Sequence, residues 1–336
     1  MRFEVSDLRE AVEQEYPNHN TQITDRKISR LSYKGKYKSQ TVKQKIGPTG
    51  KQTRQQTKLR IFIPLMNSLT QFQLKTLRQL LQKKFRDEEQ KFLVEGFRSV
   101  EEALQSGWEI AMVIGTEKSL SDESARKIHA LVKRKKIPSF ELSKKDIETL
   151  SDTVHTQEII AVVRQKKFEL SAFPGYAAPR STFVAFDSVN EPGNLGTMLR
   201  TCDWFGVEGV LLGKNCVELF NPKVVRASMG AIFHLPIVEE VDLEKELMQL
   251  KTQNFVVAST SSHATKSLFD ISVPKKSVII FGNEAHGISS SLEKLSALQF
   301  SIPKFGNTND SSRRAESLNV ASACASVLTV WRMSGK

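Results

Sequence analysis

Residues 190–206 read NEPGNLGTMLRTCDWFG, and this stretch decides the fold because it places a glycine-containing loop between a strand pattern and a helix pattern. Upstream, residues 182–186 form a short run of β-prone residues. Downstream, apolar residues recur at helical spacing until Phe205 and Gly206 end the pattern. The recurring positions are Leu195, Met198, Leu199 and Cys202. The stretch therefore predicts a strand, a loop and a helix in succession.

The loop contains residues that suit ligand binding. Gly193 and Gly196 lack a Cβ atom, so the backbone can turn sharply and approach another group closely. Asn194 stands where a helix N-cap is expected, and Arg200 follows in the second turn, within reach of the loop. Two simpler interpretations stay open at this point: an asparagine before a helix is often only a cap, and a single arginine on a helix is often only solvated.

Composition limits the class of protein. With 336 residues, of which 39% are hydrophobic, the chain can form two folded domains and a tail. No window approaches ~20 consecutive apolar residues, and residues 1–16 carry five acidic side chains, unlike a signal peptide. Cys202, Cys216 and Cys324 form no CxxC pattern, so neither disulfides nor a metal site is expected. We therefore expect a cytoplasmic protein with no membrane segment and no metal.

Residues 1–65 are expected to form a basic, disordered arm. Between Arg26 and Arg60 there are twelve basic residues and no acidic ones, which equals the net charge of +12. This stretch is poor in large apolar residues and cannot offset the entropy cost of ordering. Lysine and arginine side chains that neutralise phosphates release counterions, so RNA is the simplest partner. Two alternatives stay open: the arm is a solvated tail that binds nothing specific, or Met66 is the true start codon.

Alternating patterns predict two α/β domains. Residues 66–167 start with a helical stripe over 69–85 that includes Leu69, Phe72, Leu77, Leu80 and Leu81. Strands are then predicted at 92–94, 111–114, 139–142 and 159–163, and helices at 100–105, 123–133 and 145–150. This pattern predicts a small, compact α/β domain of about a hundred residues. Residues 168–180 contain Pro and Gly without periodicity and are interpreted as a linker.

Residues 181–336 are predicted to form the larger domain. Its strand-like runs are 182–186, 210–212, 255–258, 278–281 and 300–302, separated by segments long enough for crossover helices. This spacing favours a parallel sheet covered on both faces. Ligands of such sheets bind beyond the carboxyl ends of the strands, so the loops after these runs are candidate sites.

Two further loops carry polar residues. Residues 282–288 read GNEAHGI, with Glu284 among small residues, and the later segment starts at Ile302-Pro303 and reaches SLNVA at 317–321. An ordinary turn at 282–288 and an N-cap at Ser317 are the simpler interpretations.

Together the three segments resemble the motifs of the SpoU/TrmH family of SPOUT-class RNA 2′-O-ribose methyltransferases. The first motif corresponds to Asn194, Gly196 and Arg200, the second to residues 282–287, and the third to the IP at 302–303 followed by SLNVA. The likeness covers residues 182–331. A weaker one over 69–167, with FLVEG at 92–96 and HTQEI at 155–159, is similar to the family's small substrate-binding domain.

The resemblance implies an α/β trefoil-knot methyltransferase domain that binds S-adenosyl-L-methionine and forms a homodimer, with parts of each active site supplied by both chains. By motif position, Gly282, Ile302 and Leu318 are expected to contact this cofactor, helped by Ser259 and Thr260. The C-terminal helix pattern over 318–331 suits a dimer interface, although a buried core explains its apolar stripe equally well.

The resemblance also implies the catalytic residues. Arg200 activates the ribose, Glu284 holds its guanidinium, and Asn194, Ser317 and Asn319 supply neutral hydrogen bonds. Because arginine does not release its proton, stabilising the developing alkoxide is the physically safer role for Arg200. Arg226, Arg313 and Arg314 are the expected RNA contacts, with a structural salt bridge as the alternative at Arg226.

The expected substrate is ribosomal RNA rather than transfer RNA, because the extra small domain suits a structured RNA. A transfer-RNA 2′-O-methyltransferase and a non-catalytic RNA-binding relative are the alternatives. A Rossmann-type enzyme that uses PGNLG as a phosphate loop is disfavoured, because the chain lacks GxGxxG there and a ribose-binding acid at the expected place.

Overall fold

The computed structural model describes residues 69–261, 264–305 and 317–334. The basic arm, Met66 and the segment with Arg313 and Arg314 lie outside the described residues. Within the described ranges, none of the helices combines the length and the apolar character needed to cross a membrane.

The first half of the described chain forms a four-stranded mixed sheet with six helices. Its strands are β1 (Lys91–Glu95), β2 (Ile110–Gly115), β3 (Ser139–Glu141) and β4 (Ile159–Arg164). Its helices are α1 (Gln71–Gln79), α2 (Lys83–Glu89), α3 (Phe97–Gln105), α4 (Glu117–Ser121), α5 (Arg126–Lys135) and α6 (Lys144–Glu148). The strand order is β1-β4-β2-β3, with β4 antiparallel to both neighbours and β3 parallel to β2. The four predicted strands are confirmed.

The predicted helical stripe over 69–85 is two helices rather than one. Thr70 caps α1 in a reciprocal capping box with Gln73, and the chain turns after Gln79 before α2 begins. Leu74 is buried in place of Phe72, whose side chain is 78% exposed, so the expectation that Phe72 belongs to the apolar stripe is wrong. Because the chain turns at residues 80–82, α1 and α2 do not share one continuous apolar face.

The second half forms a six-stranded sheet in which every neighbouring pair is parallel, as predicted. Its strands are β5 (Ser181–Phe186), β6 (Gly209–Gly213), β7 (Ile237–Val241), β8 (Val256–Thr260), β9 (Lys276–Phe281) and β10 (Leu298–Phe300). Its helices are α7 (Pro192–Trp204), α8 (Pro222–Ala227), α9 (Leu243–Thr252), α10 (Ser290–Leu295) and α11 (Val320–Ser334). β7 was not predicted, because its sequence IVEEV belongs to a half-exposed edge strand.

The strand order β10-β8-β9-β5-β6-β7 places a topological switch point between β5 and β9. From β5 the chain passes to β6 on one side, whereas from β9 it passes through α10 to β10 on the other. The loops that leave these two strands therefore diverge and leave a crevice at their carboxyl ends, where parallel sheets bind ligands. The trefoil knot that the resemblance implies stays a prediction, and residues 306–316, which follow β10, lie outside the described residues.

The two sheets share one hydrophobic core. Phe92 on β1 and Trp108, just before β2, pack against Phe220 and Phe233, which flank α8, with ring centroids 4.6 Å apart for Phe92 and Phe220 and 5.4 Å apart for Trp108 and Phe233. All four side chains are buried. Burying an aromatic side chain of this kind stabilises a fold by ~1.5–3 kcal/mol, so these contacts join the two sheets firmly.

A buried ion pair reinforces this contact. Arg86 on α2 donates from Nε and Nη2 to the two carboxylate oxygens of Glu218, each at 2.7 Å, and from Nη1 to the carbonyl of Leu80 at 2.7 Å. The segment 168–180, interpreted as a linker, is itself packed: Phe173 is buried against Phe183, with ring centroids 5.6 Å apart. The chain between the sheets is therefore held against the second sheet.

Candidate active site

Helix α7 begins earlier than the sequence suggested. Glu191, not Asn194, is its N-cap: the Glu191 carboxylate accepts from the backbone N–H of Asn194, and Pro192 occupies the first helical position. The expected cap role of Asn194 is therefore wrong, and Gly193 and Gly196 lie inside the helix rather than in a loop. Because the cap is supplied by Glu191, the Asn194 side chain is free for contacts outside its own helix.

Gly196 allows the close approach that was predicted, although its neighbour is a helix and not a ligand. A Cβ atom at this position would lie 2.5 Å from the Cβ of Ala227 and 2.7 Å from the carbonyl oxygen of Val224 on α8. Any larger residue would push α7 and α8 apart. Gly196 therefore fixes the position of the helix that carries Asn194 and Arg200.

The loop after β9 forms a tight turn organised by Asn283. Asn283 and Gly287 exchange two backbone hydrogen bonds, at 2.8 and 2.9 Å, and the Asn283 side chain accepts from the backbone N–H of Ala285 and of His286. Gly287 has a φ of +70°, a conformation that favours glycine. At Gly282 a Cβ atom would lie only 2.3 Å from the carbonyl carbon of Gly287. The turn presents Glu284 on its outer side.

Two hydrogen bonds join this turn to the loop after β5. The Asn283 side chain donates to the carbonyl of Ser188 at 2.9 Å, and Asp187 accepts from the backbone N–H of Ser289 at 2.8 Å. The two loops that flank the switch point are thus held together, which places Glu284 beside the start of α7.

Asn194, Glu284 and Asn319 meet at this point, although they are far apart in sequence. The Asn194 amide donates to Oε1 of Glu284, and the Asn319 amide donates to Oδ1 of Asn194 at 3.0 Å and to Oε1 of Glu284 at 3.3 Å. Hydrogen bonds to a carboxylate are stronger than those between neutral groups. The structure therefore brings together three of the five residues that were predicted to be catalytic.

Asn319 has a second role. Its Oδ1 accepts from the backbone N–H of Ala321 at 2.9 Å, so it caps α11, the role that was considered for Ser317. Ser317 itself is exposed and makes no hydrogen bond to the described part of the chain. One amide thus fixes the start of the last helix with its oxygen and contacts the site with its nitrogen.

Arg200 lies on a different side of α7 from Asn194. Six residues separate them, which corresponds to a rotation of about 240° along a helix. Because the helix starts at Pro192, Arg200 opens its third turn and not its second. Its side chain is exposed and has no polar partner among the described residues, so the expected ion pair with Glu284 is not formed. Within one chain, the described structure does not bring Arg200 to the other site residues.

The residues expected to bind the cofactor lie along the same edge of the sheet. Ser259 and Thr260 end β8, Gly282 follows β9, and Ile302 follows β10. The Ser259 hydroxyl is fully buried and has no hydrogen-bond partner among the described residues. Leu318 precedes α11 and is 54% exposed. A buried hydroxyl without a partner, such as that of Ser259, suits a bound ligand.

Arg226 is engaged by the first half of the chain. Its guanidinium forms a bidentate pair with Asp152, in the loop before β4, with Nη2 3.3 Å from Oδ2. This is the structural salt bridge that was considered as the alternative to an RNA contact. A role for Arg226 in RNA binding stays a prediction, and Arg313 and Arg314 lie outside the described residues.

Two residues that organise the site were not singled out from the sequence. Glu191 could have been recognised as a cap because Pro192 follows it and proline is common at the first position of a helix. Asn283 carries the signal of a side chain that hydrogen-bonds to the backbone two residues further on, a frequent device in turns.

Comparison with known proteins agrees with this geometry. Residues 181–329 match the model of the SpoU rRNA methylase family, and residues 72–161 match the model of the MRM3-like substrate binding domain. The two matches cover the sheet with the candidate site and the four-stranded sheet that precedes it.

Similar proteins extend over most of the chain. A 23S rRNA (guanosine(2553)-2′-O)-methyltransferase, RlmP, of Bacillus subtilis is 30% identical over 78% of this chain and 95% of its own. An uncharacterized tRNA/rRNA methyltransferase of Synechocystis is 30% identical over 76% of this chain and 88% of its own. The solved structure of an AdoMet-bound rRNA methyltransferase from Sinorhizobium meliloti is 29% identical, with a TM-score of 0.68 over 80% of this chain and 97% of its own. This chain belongs to the SpoU rRNA methylase family.

Proposed function

We propose that this protein transfers a methyl group from S-adenosyl-L-methionine to a ribose 2′-hydroxyl of ribosomal RNA. The observation that carries the proposal is the contact of Asn194, Glu284 and Asn319 at the switch point of a SpoU-family sheet. Three dispersed segments converge on one carboxylate there, which is the arrangement expected of a site rather than of three separate turns.

The residues at the sheet edge fit the cofactor. The buried Ser259 hydroxyl offers an unused donor and acceptor, and the exposed Leu318 offers an apolar surface. The backbone of Gly287 and Ile288 leaves no room for a side chain at Gly282, so only main-chain groups of Gly282 are available to a ligand. Bound S-adenosyl-L-methionine supplies an electrophilic methyl group on a sulfonium sulfur. Ser259, Thr260, Gly282, Ile302 and Leu318 are the residues we propose to hold it.

Arg200 acts on the RNA. A ribose hydroxyl barely ionises at neutral pH, and a nearby cation lowers the cost of the negative charge that develops on its oxygen. Since arginine stays protonated, the guanidinium stabilises that charge and orients the adjacent phosphate through two parallel N–H groups. Glu284 acts indirectly, because its carboxylate holds the amides of Asn194 and Asn319 in place. We keep Ser317 as a neutral hydrogen-bond donor to the ribose.

The protein acts as a homodimer in this proposal, and Arg200 serves the site of the partner. Helices α7 and α11 pack side by side and leave an outer face that contains Trp204, 84% exposed, and Met333, 70% exposed. The buried stripe of α11, which includes Leu328 and Trp331, is part of the core. The opposite face is therefore the one available to a second copy. Arg200 projects from the same outer face, away from its own Asn194.

Mixing two inactive variants tests both parts of the proposal. Arg200→Ala should lower methyl transfer at least ~100-fold, the effect of removing one transition-state donor, while cofactor binding stays nearly unchanged. Gly282→Val should abolish cofactor binding and leave Arg200 intact. When the two are refolded together, mixed dimers combine the cofactor site of one chain with Arg200 of the other, so activity should reappear. A mixture that stays inactive would place Arg200 in its own chain's site, and full activity of Arg200→Ala would remove it from the mechanism.

The substrate is proposed from the relatives. The relative from Bacillus subtilis is named for a 2′-O-methylation of 23S rRNA, and residues 72–161 form a substrate-binding domain of the MRM3-like type. Mapping 2′-O-methyl groups in ribosomal and transfer RNA from cells with and without this protein distinguishes the two substrates. If the cells without this protein keep every methyl group and the purified chain still binds RNA, the protein is a non-catalytic RNA-binding relative. The cytoplasm is the compartment we propose, in line with three free cysteines.

A further inference from the structure

We propose that the basic patch formed by Lys133, Arg134, Lys135 and Lys136, at the carboxyl end of α5, is a second contact for substrate RNA. The proposal rests on the RNA-directed function proposed above and adds a surface that the three family motifs do not include. Its partner is the phosphate backbone of a folded RNA.

The patch is a continuous run of positive charge. The first three residues form the last turn of α5, and Lys136 follows it as the C-cap with a φ of 54°. All four side chains are exposed. Cations stabilise the carboxyl end of a helix, but this effect falls off within the last turn and does not require four adjacent charges.

The neighbouring basic residues form ion pairs with carboxylates of the protein, and the four patch residues do not. Arg126 lies 3.3 Å from a carboxylate oxygen of Glu123, and Lys127 lies 3.3 Å from one of Glu101. None of the four patch residues lies within 4 Å of a carboxylate in the described ranges, and Lys135 instead donates to the carbonyl of Ser106 at 3.2 Å. The patch therefore offers four charges that no carboxylate of the described chain neutralises.

The position of the patch sets the size of the partner. Helix α5 leads directly into β3, the edge strand of the first sheet, whereas α8 of the second sheet packs against β1 at the opposite edge. Lys135 contacts Ser106 shortly before β2 begins, whereas the pair of Arg226 on α8 with Asp152 lies shortly before β4 begins. Because β2 and β4 are antiparallel, these two contacts lie at opposite ends of the first sheet. The six residues of β2 span about 20 Å at ~3.3 Å each, a length that a folded RNA covers and a single nucleotide does not.

The salt dependence of RNA binding tests the proposal in the full-length chain. The quadruple variant K133Q/R134Q/K135Q/K136Q removes the patch, and R126Q/K127Q/K84Q/K144Q removes four exposed charges that lie near carboxylates. The probe is an RNA hairpin with about 16 base pairs, the length that double-strand RNA domains contact. The slope of log K against log salt should be shallower by about 3 in the patch variant, as expected for four lost phosphate contacts, and by less than about 1 in the control.

An unchanged slope in the patch variant, or an equal change in the control, would overturn the proposal. Thermal unfolding and cofactor binding, measured on both variants, should match the wild type and so exclude a folding defect. Methyl transfer to ribosomal RNA by the wild type is measured in parallel. If it is absent while the slope still changes, the proposed function fails and the RNA contact stands. If it is present while the slope does not change, only the patch proposal fails.

Discussion

Replacing Glu239 by glutamine should raise the free energy of unfolding above that of the wild type. The gain should be larger at pH 8 than at pH 5. Glu239 lies in the edge strand β7 and lines a cavity of about 530 Å³ between the two sheets. Burial, followed by repulsion from Glu240 and Glu218, raises the pKa of its carboxyl from 4.5 to about 7. The nearby Lys83 opposes this rise but does not cancel it.

The sign of the effect follows from the direction of the shift. The folded protein binds the Glu239 proton more tightly than the unfolded chain, so its stability contribution is fully present below about pH 4.5 and is lost as the pH rises to about 7. Each tenfold change in proton affinity is worth about 1.4 kcal/mol, so the ionised carboxylate costs up to about 3 kcal/mol at pH 8 and less than about 1 kcal/mol at pH 5.

Glutamine removes the charge and keeps the shape, and its carbonyl oxygen can still accept the backbone hydrogen bond from Leu219. Urea unfolding of Glu239→Gln and the wild type at both pH values measures the difference. Glu244→Gln, at an exposed position on α9, is the matched control and should change stability little at either pH. An equal gain at pH 5 and pH 8, or a loss at pH 8, would refute the reasoning.

Four further changes test individual contacts. Gly282→Ala should weaken cofactor binding at least ~10-fold in a titration, because its Cβ would meet the backbone of Gly287 at 2.3 Å, whereas Gly107→Ala, with open space around it, should not. Arg86→Met should lower the free energy of unfolding by ~3–5 kcal/mol by leaving the carboxylate of Glu218 buried and unpaired, while Lys84→Met, on the same helix with an exposed partner, should have little effect; equal losses would contradict the buried pair. Asn319→Ser should largely keep the melting temperature, since serine also caps helices, yet reduce methyl transfer because the amide donor to Glu284 is lost; unchanged turnover would remove that donor from the site. Deleting residues 1–65 should flatten the salt dependence of RNA binding, and an unchanged slope would count against the basic arm.

Patterns of local spacing predicted most strands and the common sheet edge of the loops that carry Asn194 and Glu284, whereas the family resemblance placed the two residues in one site. The strands and the common edge both follow from alternation between strands and helices, because the carboxyl ends of parallel strands share one edge. The predicted start of α7 was wrong because Glu191 and Asn194 are both able to cap a helix. Only the structure shows that the Glu191 carboxylate accepts from the helix backbone, whereas the Asn194 amide donates to Glu284.

Contacts between distant parts of the chain could not be predicted. The partners Arg86 and Glu218 are 132 residues apart, and no local pattern connects them. The exposure of Phe72 depends on where the chain turns between α1 and α2, and β7 is hidden because an edge strand needs few apolar residues. For Arg200, the spacing of the motif indicates importance but not the side of the helix on which it acts.

The aromatic contact between Phe92, Trp108, Phe220 and Phe233 has a consequence for how the protein unfolds and evolves. Because the two sheets bury these rings against each other, separating them would expose apolar surface on both, and each would lose part of its own interior. Heating should therefore give one cooperative transition for the two sheets instead of two. The half of the chain with the four-stranded sheet is therefore not an exchangeable module, since a replacement would need to supply matching rings.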